Sequence, residues 1–399
     1  MNGASKRYPR NEPPMNPATT GPSAKRVGFL ELFFDLVFVF AVTQLVGLLH
    51  DDHTPAGWGR AALMMWLIWW AWSQYTWAGN AIDLDRRTTR IWMLVATGAM
   101  LGAAAAIPTA FDDPGEWFAV PYTAVRLLGL ALYWYGLRDE PAHRAALRTY
   151  VPIAVISPIV ILIGGSVDDT LRITLWCLAV IIDITSVLAA GRGEFRVDPG
   201  HFAERHGLIV IIALGESVIA IGATATDVGL DSDVIALLAV AFVAVAGLWW
   251  TYFDRVHRAA EVRLVTEPDH TRRSTLARDL FTLGHLPIVA GTVVFAVAIE
   301  EALLHPTEPL DSFAVTAMAV GPALYLAGSV LGNLRSTGRI LHTRLVGLIV
   351  IVAIAVLAAP HISAVASTAA VAAAIIAIAT IEGATHPHDR RSTNSDALP

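Results

Sequence analysis

Long apolar runs, each of roughly 17–25 residues and broken by short polar loops, fill the chain from residue 28 to residue 382. Runs of that length match a helix crossing a bilayer core, at about 1.5 Å of rise per residue. The pattern predicts about twelve transmembrane helices, near 28–49, 60–80, 90–110, 117–137, 147–164, 171–191, 204–224, 233–253, 277–301, 312–333, 342–359 and 362–382. The fifth is short and holds Pro152 and Pro158. The runs are continuous rather than alternating, which excludes a transmembrane barrel. The fold class is therefore all-α, a polytopic helical membrane protein.

The loops test this reading. All of the 28 Lys and Arg except Arg60, Arg126 and Arg172 fall in alternate loops or the two tails. The other loops are acidic, with Asp51-Asp52, Asp112-Asp113, Asp168-Asp169, Asp227, Asp231, Asp233, Glu308 and Asp311. Basic loops stay in the cytoplasm, so both termini are expected inside the plasma membrane of a bacterial cell. Residues 1–26 and 385–399 read as disordered cytoplasmic tails, 27–196 as a first six-helix half and 197–384 as a second.

The halves share motifs. Phe29-Leu30-Glu31 is matched by Phe202-Ala203-Glu204 at an offset of 173, and Trp69-Trp70-Ala71-Trp72 by Trp249-Trp250-Thr251-Tyr252 at an offset of 180. Six helices per half would make parallel repeats about an axis along the membrane normal. Chance recurrence in aromatic-rich helices is the alternative.

Composition changes little. Only 16% of residues are charged, against about 25% in a soluble protein. The single cysteine, Cys177, excludes an internal disulfide and is expected as a small core residue. There is no phosphate-binding glycine loop, HExxH motif or nucleic-acid module. No cofactor, metal site or nucleic-acid partner is expected, and the lipid bilayer is the one sure partner.

The chemistry lies in charges that interrupt apolar runs. A carboxylate at the bilayer centre costs about 2.5–3.5 kcal/mol on insertion scales, so it must pair, bind a proton or face water. Glu31 and Asp35 sit four apart on one face of the first helix. Asp183 and Glu216 are deep in the sixth and seventh. Arg126 in the fourth needs an anionic partner, with Asp183, Asp35 and Glu216 as candidates. These acids are candidate ion or proton path residues with Arg126 as countercharge; a purely structural pairing explains them equally well. His201, Glu204, Arg205 and His206 form a polar cluster at the basic edge, and His285 precedes Pro287 in the ninth helix. The row Trp66, Trp69, Trp70, Trp72, Tyr75 and Trp77, beside Gln74 and Asn80, suits interfacial anchoring, helix packing or a pore lining.

Three stretches carry a family resemblance: ELFFDLVFVFA at 31–41, HFAERHGLIVIIALGES at 201–217 and WWTYFD at 249–254, with HLPIVAG at 285–291. They resemble the bacterial low temperature requirement A family over residues 27–382. The resemblance marks Glu31, Asp35, Glu204, Arg205, His206, Glu216 and His285 as motif residues. It implies a link to growth in the cold without a molecular activity. Phe33-Phe34-Asp35 is also similar to the Phe-Ser-Asp signature of an endolysosomal potassium and proton channel family built from two times six helices. Here the hydroxyl is missing, and the second half has no matching triplet. The leading expectation is a transporter or channel for protons or small monovalent cations. The alternatives are a structural or stress-adaptation membrane protein, and a membrane-embedded enzyme on a lipid-linked substrate using His201, Glu204 and His206 with Asp83 and Asp85.

Overall fold

The computed structural model describes residues 26–190 and 195–385. The expected disordered tails, with the basic residues before Arg26 and beyond Thr385, lie outside the described residues, as does Arg192. Within them the chain is helical, with no strand beyond an isolated bridge between Pro309 and Ser363.

The first half contains α1 (Phe29–Asp51), α2 (Pro55–Ala81), α3 (Arg87–Ala105), α4 (Glu116–Leu137), α5 (Pro141–Ala154), α6 (Ile156–Gly165) and α7 (Asp169–Ala190). The second contains α8 (Pro199–Val228), α9 (Ser232–Thr251), α10 (His257–Val265), α11 (His270–Leu276), α12 (His285–Leu304), α13 (Ser312–Thr337), α14 (His342–Ala353) and α15 (Ala364–Thr385). Each predicted segment falls on helix, the fifth and ninth among those on more than one element. The fifth is split into α5 and α6 at Val155, between the two prolines that weaken its backbone ladder.

Eight helical stretches among the described residues are long and apolar enough to cross a membrane. The remaining predicted spans, α2 to α4 and α14, miss that standard. Trp, Tyr, Thr and Gly dilute the hydropathy of the first three, and α14 with its π-helical extension is short. The chain is a multi-pass helical membrane protein.

Helix starts follow side-chain chemistry. Thr54, Asp198, Asp231 and Asp311 cap α2, α8, α9 and α13 by accepting from the N–H of Gly57, His201, Val234 and Ala314. Pro55 and Pro199 occupy the first turns of α2 and α8, where no N–H is needed. Three π-helical turns interrupt the second half, at Tyr252–Val256, Ala277–Leu283 and Ile354–Ala358.

In the first half α1 packs on α3, α3 on α4, α4 on α6, α6 on α7, and α2 touches α4 and α7. In the second half α8 packs on α12, α12 on α13, α13 on α14, α14 on α15, and α9 touches α15. Lipid offers helices no hydrophobic drive to associate, so close packing must supply it. At the α12–α13 crossing, a Cβ on Gly291 would lie 2.5 Å from the Gly321 carbonyl oxygen, and one on Gly321 2.5 Å from the Phe295 nitrogen. Only glycine allows the two backbones that close. The halves meet where α1 lies against α8 and α12. Cys177, expected in the core, is exposed on α7; its neighbour Trp176 takes the buried position instead.

Candidate functional site

The first two turns of α1 and of α8 face each other, and the acids of one meet the bases of the other. Glu31 is 3.0 Å from His201 Nε2 and 3.2 Å from an Arg205 nitrogen. A second Arg205 nitrogen donates to Asp35 at 2.7 Å, and Trp72 of α2 donates its indole N–H to the same oxygen at 2.9 Å. Glu31, Asp35, His201 and Arg205 are all essentially inaccessible to solvent.

Local sequence explains the fit. Glu31 is the third residue of α1 and accepts from the Gly28 N–H at 3.0 Å, which fixes its rotamer at the helix start. His201 and Arg205 are one turn apart on α8 and share a face. The start of α8 is tied to the end of α2 by a bond from the Asp198 N–H to the Asn80 side-chain oxygen, 3.0 Å. Gly79 of α2 makes room for the carboxylate, since a Cβ there would lie 2.7 Å from Glu31 Oε1.

Polar groups continue beyond these four. The edge of His206 meets Trp72, and its ring centroid is 5.2 Å from that of His285. His206 Nδ1 bonds the Phe202 carbonyl at 2.9 Å, and its Nε2 is buried without a partner. His285 joins the Tyr252 hydroxyl at 2.7 Å and the Leu280 carbonyl at 2.8 Å. The π-helical turns make this possible. Backbone donors there reach five residues back, as Gly284 does to Asp279. In that register the donor due to Thr282 would be residue 287, a proline with no N–H. The Thr282 carbonyl accepts instead from the Trp69 indole at 2.6 Å.

Glu216 lies eleven residues past Arg205, about 16 Å along α8. It accepts a hydrogen bond from the Thr43 hydroxyl of α1. The sequence separations of these α1–α8 contacts run from 170 to 174. A near-constant separation means that the two helices run parallel and side by side.

The other two charges read from the sequence form a separate unit. Arg126 donates to both oxygens of Asp183 at 2.8 and 3.2 Å, to Gln74 at 2.7 Å and to the Tyr122 hydroxyl at 3.0 Å, with no solvent access. Of the three acids considered as its partner, Asp183 takes the place.

Glu204 departs from the expected cluster. It is exposed and accepts from the Val27 N–H at 3.1 Å. Adjacent helix positions are about 100° apart, so Glu204 and Arg205 point different ways. Asp83 and Asp85 are exposed and paired with Arg86 and Arg90. Among the described residues no hydrogen bond or ion pair joins them to His201 or His206. Of the aromatic row, Trp69, Trp70, Trp72 and Tyr75 are buried between helices, and Trp66 and Trp77 are half-buried. Trp70 and Trp77 line a pocket with Tyr133, Tyr150, Phe195 and Arg278.

Sequence reasoning missed two groups. Arg344 and Glu382 form a bidentate pair, both distances 2.9 Å, with Arg344 fully buried and also bonded to the Thr251 carbonyl. Their places near helix ends made them look interfacial. His50 and His53 meet Glu300 and Glu301 where α1 and α12 end; only their apposition in space reveals them.

A family model, that of the bacterial low temperature requirement A protein (LtrA), matches residues 26–379. The chain belongs to the LtrA family. It is 31% identical over 379 residues to an uncharacterized protein of Rhizobium meliloti (strain 1021), covering 92% of this chain and 91% of that one. No solved structure matches. The α1–α8 hub lies where two of the stretches that carried the resemblance, 31–41 and 201–217, come together.

Proposed function

We propose that this LtrA family member carries protons, or exchanges them for a small monovalent cation, across the bilayer. Glu31, Asp35 and Glu216 are the exchanging acids. One observation carries the reading: the hub seals two carboxylates from water with one guanidinium. Arginine stays charged under all relevant conditions. Two ionised acids would leave one surplus negative charge in a medium where an uncompensated charge is costly. A proton or small cation must balance it. The Glu31–His201 contact is a ready seat for a shared proton, and Asp35 Oδ2, buried without a hydrogen-bond partner, is a second. Glu216 then continues the line of acids along the α1–α8 seam toward the opposite side.

The matching neighbour pattern of the two halves supports a duplicated six-helix unit, and the segregation of basic and acidic loops supports both termini on the cytoplasmic side. Asp183, by contrast, leaves the set of path candidates in this reading. Protonating it would strand a buried guanidinium, so the Arg126–Asp183 pair is a fastener between helices.

The test is flux of protons and potassium in liposomes holding the purified chain, comparing wild type with Glu216→Gln and Asp35→Asn. Flux present in the wild type and lost in folded variants is expected. Equal flux in all three, or none in any, would overturn the proposal.

A further inference from the structure

At the far end of α1 from the hub, two histidines and two glutamates converge. We infer that His50, His53, Glu300 and Glu301 form a binding site for a divalent transition metal of the zinc class. The inference stands apart from the proposed proton path.

The geometry is close to what such an ion needs. His50 Nε2 is 3.4 Å from a Glu300 oxygen, and His53 Nε2 is 3.9 Å from a Glu301 oxygen. One ligand atom each from His50, His53 and Glu301 can be chosen so that all lie within 4.8 Å of one another. Tetrahedral zinc, with bonds of about 2.0–2.2 Å, holds its ligand atoms roughly 3.3–3.5 Å apart. Small rotations would close the site.

A second observation points to a ligand. Glu300 Oε1 is buried and has no hydrogen-bond partner, and His50 Nε2, also buried, has only the 3.4 Å contact to the other Glu300 oxygen. Buried polar atoms are normally satisfied, so one unpartnered oxygen beside a loosely held imidazole nitrogen calls for a further partner. An ion between them would satisfy both. His50 Nδ1 is already 2.7 Å from Glu301.

The fourth member is held in place. The His53 ring stacks on Phe313 of α13, with centroids 3.6 Å apart and planes within 1°. The side chains of His50 and His53 are 27% and 41% exposed, so an ion can enter from solvent. Ligation requires both imidazoles to be deprotonated, and the two carboxylates then leave a charge of −2, matched to one divalent cation. Imidazole nitrogens favour zinc, cobalt, nickel and copper over calcium and magnesium. The site joins the ends of α1 and α12, so binding clamps the two helices together.

The experiment titrates Zn²⁺ and Co²⁺ into the full-length chain, purified in detergent without a histidine tag and stripped with chelator. Calorimetry reads affinity and stoichiometry, visible absorption reads cobalt geometry, and a melt reads the clamp. One ion per chain is expected, with a visible cobalt band, a higher melting temperature with zinc and no response to Ca²⁺. His50→Gln and Glu301→Gln should weaken binding at least tenfold, by analogy with losses at metal sites generally. His53→Ala, a change at the exposed rim, guards against a folding defect and should weaken it similarly. His342→Ala, at an exposed position on α14, should bind as wild type. Unchanged zinc binding in all three site variants would overturn the inference, as would no binding in the wild type or equal binding of calcium and zinc.

Discussion

Arg126→Met separates a helix fastener from a path acid. The substitution removes the guanidinium that holds both Asp183 oxygens, and Asp183 has no solvent to turn to. Breaking a buried pair from one side costs about 3–5 kcal/mol, because the remaining charge is left bare. Asp183→Leu alone should cost a similar amount by baring Arg126. The double variant Arg126→Met/Asp183→Leu removes both charges and restores apolar volume. It still leaves the Gln74 oxygen without the Arg126 donor, at about 1–3 kcal/mol. Tyr122 keeps its bond to the Leu67 carbonyl at 3.0 Å, so no further penalty arises there. The double variant should therefore be clearly more stable than the sum of the singles, by at least about 3 kcal/mol on these magnitudes. Reversible unfolding in bicelles measures all four corners of the cycle, and liposome flux is read on the same preparations. Additive losses would refute the pairing argument. Flux abolished in a folded double variant would refute the assignment of Asp183 to structure.

Three further outcomes follow from the same geometry. Asp35→Asn keeps an oxygen for the Trp72 indole and removes the surplus charge of the hub, so the melting temperature should hold or rise while flux falls; a large loss of stability with normal flux would contradict this. Gly79→Ala should displace the Glu31 carboxylate and destabilise by about 1–3 kcal/mol, whereas Gly47→Ala, with open space around it, should be silent in the same melt. Gly291→Ala pushes a methyl group into the backbone of α13 and should cost more than Gly79→Ala, since the backbone cannot swing aside as a side chain can; equal melts would show that α12 and α13 separate easily.

Much of this was legible in the sequence because a bilayer punishes mistakes so heavily. The apolar runs placed the rods, and the acids that interrupted them, Glu31 and Asp35, marked the hub before any contact was known. Arg126 announced its need for a partner, though not which one, because three acids at comparable depth satisfied the same demand. Pairings near helix ends were silent. Arg344 and Glu382 look like ordinary interfacial charges in one dimension, and His50 is separated from Glu301 by 251 residues. Glu204 misled because the motif around His201 reads as one cluster, while helical geometry turns it away from Arg205. The π-helical turns that free the Leu280 and Thr282 carbonyls have no signature beyond Pro287, whose effect depends on a register that only the folded helix reveals.

The register between α1 and α8 bears on why the chain has one hub rather than two. Under the proposed duplication, Phe29-Leu30-Glu31 corresponds to Phe202-Ala203-Glu204, an offset of 173. Thr43 then corresponds to Glu216, and these two residues bond to each other across the same separation. Residues related by a two-fold axis can touch only where they lie beside it, so that contact marks the axis. The hub sits close to the axis too, yet its chemistry is not symmetric. The counterpart of Asp35 is Leu208, and the counterpart of Arg205 is Leu32. The two-fold image of the Asp35–Arg205 pair would join Leu208 to Leu32, and neither carries a charge, so the pairing is made once. The buried acids of the hub therefore lie on α1 and their bases on α8. In the proposed function this hub of two acids and one guanidinium is short of one positive charge, and a proton or cation carried along the seam would supply it.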